Sequence, residues 1–250
     1  MSSEAGSGPI WTRPEPGARK PRFTRDQLAE AAMSIADTEG IEAVTMRRVA
    51  QELGAGTMTL YHYVRSKADL IALVLDRMMG ELLVPEDEMP GDWREAFAAL
   101  ARRSRQAFRA HHWIHEVMVR AEPEDAQIGS NGLRHFEQSL HVASLTGLPP
   151  DDQLELIAFL DDYVFGHSLR EREEELSQSH GEEHIEAISA YVTEQLKTGR
   201  FPRVEALLAG RSPRAFMEET IERFAGEDRF ERGLQRVLDG IALELDRRRT

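Results

Sequence analysis

The chain has no cysteine among its 250 residues. That excludes disulfide frameworks, thiol nucleophiles and cysteine-based zinc or iron–sulfur sites. No apolar run approaches the roughly 18–20 residues a membrane helix needs. The first twenty residues, MSSEAGSGPIWTRPEPGARK, lack the apolar core of a signal peptide, and a cytoplasmic location is the expectation. Alternation of strand type is missing throughout, so the expected fold is all-α. Phosphate-cradling G-x-x-x-x-G-K-[ST] and G-x-G-x-x-G loops are missing too, as is a nucleophile elbow. No cofactor is expected, and no enzyme.

What is present is a moderately apolar chain, 41% hydrophobic with mean hydropathy −0.47, ordinary for a globular protein. Its net charge of −13 argues at first against nucleic acid as a partner. The charge is unevenly placed, however. Residues 1–80 hold ten basic and ten acidic residues, and the remaining 170 carry the whole excess of acid. Arg13, Arg19, Lys20, Arg22 and Arg25 crowd one short stretch against Glu15 alone. A basic arm, a neutral small domain and an acidic large domain can point one end at phosphates.

Residues 1–21 are rich in Gly, Pro and Ser without apolar period, which predicts a disordered basic arm. Thr24 and Gln27 form a capping box that opens a helix. Leu28, Ala31, Ala32 and Ile35 give it one apolar face, and Gly40 closes it. A second helix starts at Thr45, with Met46, Val49, Ala50 and Leu53 inward; Gly54-Ala55-Gly56 interrupts it. A third runs from about Thr57 to Val64. Ser66 and Asp69 cap a fourth that reaches about Leu83. Residues 22–83 thus read as a compact helical bundle with its connecting helix. Pro85 to Gly91 makes a corner. Residues 92–250 read as long helices, at about 92–110, 111–121, 130–146, 151–177, 182–198, 203–209, 213–224 and 227–248.

The segment from Thr45 to Lys67 has helix-turn-helix grammar. At 100° per residue, Leu60 and Val64 point inward, while Met58 and His62 point away and Thr59 and Tyr61 flank them. That outer face has no acidic residue, so it can enter a major groove about 12 Å wide without repelling phosphates.

Residues 23–83, above all Thr45, Val49-Ala50, Leu53-Gly54, Thr59-Leu60-Tyr61, Tyr63-Val64, Lys67 and Leu70, resemble the DNA-binding domain of TetR-family (tetracycline-repressor-like) regulators. Shorter runs, Gly132 to Glu137, Tyr163 to Gly166 and Phe230 to Gly240, resemble the C-terminal domain of the tetracycline repressor. The resemblance implies a helix-turn-helix bundle joined to a larger helical domain for effector binding and dimerisation. It implies a ligand-responsive regulator, a repressor, homodimeric on a pseudo-palindromic double-stranded DNA operator.

Site residues follow one by one. Thr45 can offer its hydroxyl and N–H to a phosphate. Arg47 is, by resemblance, the residue for a bidentate contact to guanine. Arg48 is a phosphate contact or a solvent-facing partner. Thr57, Met58, Thr59 and His62 are base-edge readers. Tyr61, Tyr63 and Lys67 resemble the family's phosphate clamps, although the angle of Tyr63 places it beside Leu60, toward the core.

The family dimer uses two long helices per subunit, here 151–177 and 227–248. Phe230, Leu234, Val237, Leu238, Ile241 and Leu245 form a stripe along the second, which could instead pack within the monomer. The family's effector pocket would draw on Trp93, Phe97, Trp113, Met118, Phe136, Tyr163 and His167, a set suited to a small hydrophobic or flat molecule. The competing reading is a helical metal-dependent enzyme or a small-molecule-binding protein without DNA binding. It rests on His180-Gly-Glu-Glu-His184, an H-x-x-E-H pattern, and on His111 and His115 at helical spacing. The residues around His180 suit a loop or a helix end, where that chemistry needs a continuous buried helix.

Overall fold

The computed structural model describes residues 8–14, 22–120, 127–177, 182–226 and 228–249. Every regular element among them is helical. Helix α1 (Arg25–Glu39) begins at Thr24, whose hydroxyl accepts from the Gln27 N–H while the Gln27 side chain accepts from the Thr24 N–H. It ends at Gly40, whose φ of +87° suits only glycine. Helix α2 (Met46–Glu52) is capped by the Thr45 hydroxyl, and α4 (Lys67–Glu81) by that of Ser66. Between them lies α3 (Thr57–Leu60), a single turn. Leu28, Ile35, Val49, Leu60, Leu70 and Val74 close the core of this bundle, and α1 packs along α4.

Helices α5 (Trp93–Ala110), α6 (Ile114–Arg120), α7 (Ser130–Ser144) and α8 (Pro150–Ser177) follow, then α9 (Glu182–Leu196), α10 (Pro202–Leu208), α11 (Pro213–Ala225) and α12 (Asp228–Arg249). The chain divides into two compact units, Met1–Phe165 and Gly166–Thr250. The boundary expected at 84–91 falls inside the first unit. The reason is α4, which packs on α1 and on α7 at once.

Two bonds make that packing specific. The buried Asp76 carboxylate of α4 accepts the N–H groups of Asn131 and Gly132 at 3.0 and 2.9 Å, so one helix caps the next. The Gln138 amide pairs with both backbone groups of Val84, at 3.0 and 2.8 Å. In the second unit, α11 packs on α9 and α12, and the His167 ring meets Phe230 edge-on at 5.1 Å.

Two expectations change here. Residues 8–14 lie within the arm expected to be disordered, yet Ile10–Thr12 form a one-turn helix and Ile10 is fully buried. A single anchored turn has no period, so the sequence pattern could not show it. On α12, Phe230, Leu234, Leu238, Ile241 and Leu245 are buried within the single chain. That stripe is core. Leu243, on the opposite side of the same helix, is 54% exposed.

His111 joins three segments. Its Nδ1 lies 2.7 Å from Asp37 of α1 and its Nε2 2.9 Å from Glu81 of α4. The Trp113 indole N–H donates to the same Asp37 oxygen at 2.7 Å. Burial alone would lower the imidazole pKa. The hydrogen bonds and charges of Asp37 and Glu81 outweigh it and hold the ring above its ordinary value. His115 instead packs against the rings of Phe108 and Phe165, so the two imidazoles serve different neighbours. Of the H-x-x-E-H pattern, His180 and Gly181 lie outside the described residues.

Two outcomes follow from these contacts. Because the folded pKa of His111 is raised, its stabilisation is complete below the unfolded value and is lost as pH rises through the folded one. The melting-temperature difference between wild type and His111→Phe should therefore be largest at about pH 6 and shrink by about pH 9; a difference that grows with pH would mean the ring is held neutral. Gly54, at φ +60° in the turn after α2, should not tolerate a Cβ. Gly54→Ala should cost about 1–2 kcal/mol, read by calorimetry, although a Cβ there would have open space.

Candidate nucleic-acid interface

The turn after α2 reverses the chain at Gly54, and the Ala55 N–H reaches back to the Ala50 carbonyl at 2.8 Å. Helix α3 then crosses α2. Its regular part ends at Leu60, earlier than the Val64 expected, and a turn carries the chain on through Tyr63. The Val64 N–H still bonds to the Leu60 carbonyl at 3.0 Å, so the side chains keep helical directions. Leu60 and Val64 are fully buried, Met58 is 75% exposed and Tyr61 46%. His62 is exposed, and Thr57 and Thr59 are half-buried beside it. The outward face is therefore the one the spacing predicts, and it carries no carboxylate.

Around it the predicted residues fare differently. Thr45 is exposed, but its hydroxyl is engaged in capping α2. Arg47 is exposed and makes no hydrogen bond or ion pair among the described residues. Arg48 is held between Glu39 at 2.6 Å and Glu52 at 2.8 Å. Its hydrogen bond keeps the Glu39 carboxyl below the usual range, and the two carboxylates raise the guanidinium. It braces α2 against the end of α1. The phosphate role does not suit a charge already met twice.

Tyr63 is core. It is buried edge-on to Phe23, and its hydroxyl accepts the Phe23 N–H at 3.1 Å. Lys67 is exposed and lies 3.1 Å from Glu42, which also takes Arg120 of α6 at 3.0 Å. The Lys67 hydrogen bond is the main reason the Glu42 carboxyl sits below its ordinary range. A phosphate would have to draw Lys67 from this exposed pair, which is cheap to break. Arg22 was not singled out by the sequence. Its guanidinium donates to the Gly54 carbonyl at 3.0 Å and covers the Phe23 ring at 5.3 Å. Sequence showed a basic run there, not which member reaches the turn.

Deeper in the first unit, α5, α7 and α8 enclose a small cavity of about 10 Å³, room for about one water. Of the predicted pocket residues only Phe97 lines it; the walls also include Leu100, Ser104, His135, Ser139, Ile157 and Asp161. Burial keeps His135 below its ordinary pKa. Asp161 retains contact with water on one side, yet crowding by its apolar neighbours, and then Asp162, push its carboxyl up to about 6. Trp93 stacks edge-on against Phe97 outside the cavity. Trp113 is bonded to Asp37, Met118 and Phe136 are nearly half exposed, Tyr163 is half-buried, and His167 belongs to the second unit. The cavity is lined by residues of three helices, Phe97 and His135 among them, that only helix packing brings together.

Comparison with known proteins agrees with this geometry. Residues 28–74 match the model for bacterial regulatory proteins of the tetR family, and residues 84–245 that for the tetracyclin repressor-like C-terminal domain. The chain is 36% identical over 240 residues to the HTH-type transcriptional repressor DrrR1 of Streptomyces coeruleorubidus, covering 95% of this chain and 83% of that one. Apo ActR from Streptomyces coelicolor superposes with TM-score 0.67 at 27% identity, over 92% of this chain and 99% of that one. ActR in complex with actinorhodin gives TM-score 0.64 at 28% identity, over 89% and 97%. An outward-facing short helix on a capped bundle, joined to a second helical region, is thus matched in both sequence and fold, and the chain belongs to the TetR family: a homodimeric DNA-binding repressor of transcription, not an enzyme.

Proposed function

We propose that Arg47, Thr57, Met58, Thr59 and His62 read base edges in the major groove while Thr45, Tyr61 and Lys67 hold the flanking phosphates. The observation that carries this is the polarity of α3: Leu60 has no exposed surface, and Met58, two residues away, is 75% exposed. A thioether turned to water at that point, beside hydroxyls and an imidazole, suits thymine methyls and base edges. The partner subunit meets the apolar side chains that α8 leaves uncovered, Leu154 and Phe159, at 45% and 54% exposure. Two such subunits present two copies of α3 to half-sites about one helical turn apart. No helix among the described residues is long and apolar enough to cross a membrane, and we place the protein in the cytoplasm with its DNA.

The effector reading is a flat, largely hydrophobic small molecule held among α5, α7 and α8. ActR, similar over most of its length, is known in complex with actinorhodin, and DrrR1 is a repressor by name. Space for about one water cannot hold several rings, so a ligand must part these helices to enter. The polar groups on the walls, Ser104, Ser139 and His135, would orient it. Helix α7 cannot move freely, because Asp76 caps it from α4 and Gln138 is paired to Val84. Displacement of α7 would thus draw on α4, which carries α3 at its other end, and shift the spacing of the two reading helices.

Arg47→Ala should lower preference for a selected operator over random duplex by about 5- to 150-fold, the range of 1–3 kcal/mol for one bidentate base contact. Gel shifts on both duplexes measure it; equal loss on the two would assign Arg47 to phosphate. Ser104→Leu fills the cavity. It should leave operator binding intact and abolish release by a hydrophobic effector in a reporter strain, and release at wild-type effector concentrations would place the ligand elsewhere.

A further inference from the structure

The basic N-terminal segment reads from sequence as an arm for DNA, but in its described part, residues 8–14, Ile10, Trp11 and Arg13 are turned inward. The Ile10 side chain is fully buried and its N–H donates to the Gln127 side chain, just ahead of α7, at 3.1 Å. The Trp11 ring lies against Gly129, where an added Cβ would meet it at 2.7 Å. The Arg13 guanidinium is buried to 14% exposure and bonds Asp69 of α4 at 2.5 Å. The Arg25 side chain of α1 in turn holds the Arg13 carbonyl at 3.0 Å.

Asp69 is the pivot of this arrangement. One oxygen takes Arg13, and the other accepts the Arg65 N–H at 2.7 Å. Its own N–H goes to the Ser66 hydroxyl at 3.1 Å. Arg65 and Ser66 are the two residues between Val64, which seats the DNA-reading segment, and α4. The carboxylate therefore sets the angle of the corner on which α3 depends. Burial by itself would raise the Asp69 carboxyl; the Arg13 and Arg65 bonds and charges outweigh it and keep the group ionised. An ionised carboxylate this buried needs its cation, since an unpaired one is costly.

We propose that residues 9–13 form an internal strap in which Arg13 is a positioning residue for DNA recognition: through Asp69 it holds the corner after α3, and through Ile10 and Gln127 it ties that corner to the start of α7. Arg13 touches no phosphate. Its cation is spent on Asp69, and its contribution to DNA binding is the pose of the reading helix.

The test uses the full-length dimer, an operator duplex selected from random sequence with the wild-type protein, and a random duplex, titrated over a range of salt at a temperature where circular dichroism shows every variant folded. Arg13→Gln should lose operator affinity by about tenfold while random-duplex affinity and the slope of log K against log salt stay at wild-type values. Its effect should be non-additive with that of Asp69→Asn, since both break one bond. Ile10→Ala, which unseats the strap without altering any charge, should give the same selective loss, and it decides the matter if Arg13→Gln melts below the assay temperature. Three results would overturn the proposal: a slope shallower by about 0.9, the mark of one lost phosphate contact; equal loss on both duplexes; or wild-type operator affinity in the folded variants.

Discussion

The rest of the molecule depends on a carboxylate of α4 closing the N-terminus of a different helix. Asp76 is buried, and its oxygen takes two N–H groups of α7, whose N-cap Gly129 has no side chain to offer them. Four N–H groups stand free at any helix start, and leaving them unmet in the interior costs more than an ordinary bond returns. The start of α7 must therefore stay on α4. Gly129 is confined for the same reason: a Cβ there would collide with Asp76 and with Trp11. Helix α4 packs on α1 of the bundle and on α7 at once, and so is the part these helices share.

Along α4 the polar contacts fall into an order. At its start, Ser66 and Asp69 shape the corner that follows the reading helix; in its middle, Asp76 holds α7; at its end, Glu81 meets His111. The last two pair a helix of the DNA-binding bundle with a segment outside it. The reading surface stays simple by comparison: one turn of helix, two buried aliphatic residues behind it, and an outward face without acid. Carboxylates are plentiful nearby, at Glu39, Glu42 and Glu52, but each is already paired with Arg48, Lys67 or Arg120. The local field toward DNA is thereby kept from being repulsive in a chain of net charge −13.

Much of the bundle was legible because its signals are local. Thr24 with Gln27, Thr45, Gly54 and Ser66 each act on a backbone group within a few residues, and Leu60 and Val64 face inward by helical geometry alone. The long helices of the second half were bounded by Pro and Gly, which act equally locally. The cavity was not legible. Leu100, His135, Ile157 and Asp161 come from three helices, and no spacing in the chain marks them as neighbours. Trp113, by contrast, bonds Asp37, and Met118 and Phe136 are nearly half exposed.

What the sequence determined by itself is the fold class, the capped helix starts at Thr24, Thr45 and Ser66, and which face of α3 turns outward, since these follow from capping chemistry and a 3.6-residue period. Only the tertiary structure decided where each charge is spent. Arg13 and Arg48 look available to DNA in one dimension, and both are engaged within the protein, because their partners Asp69 and Glu39 lie 56 and 9 residues away along the chain. A charge or hydroxyl binds whichever partner the packed helices bring within about 3 Å, and that distance is set by packing, not by sequence order.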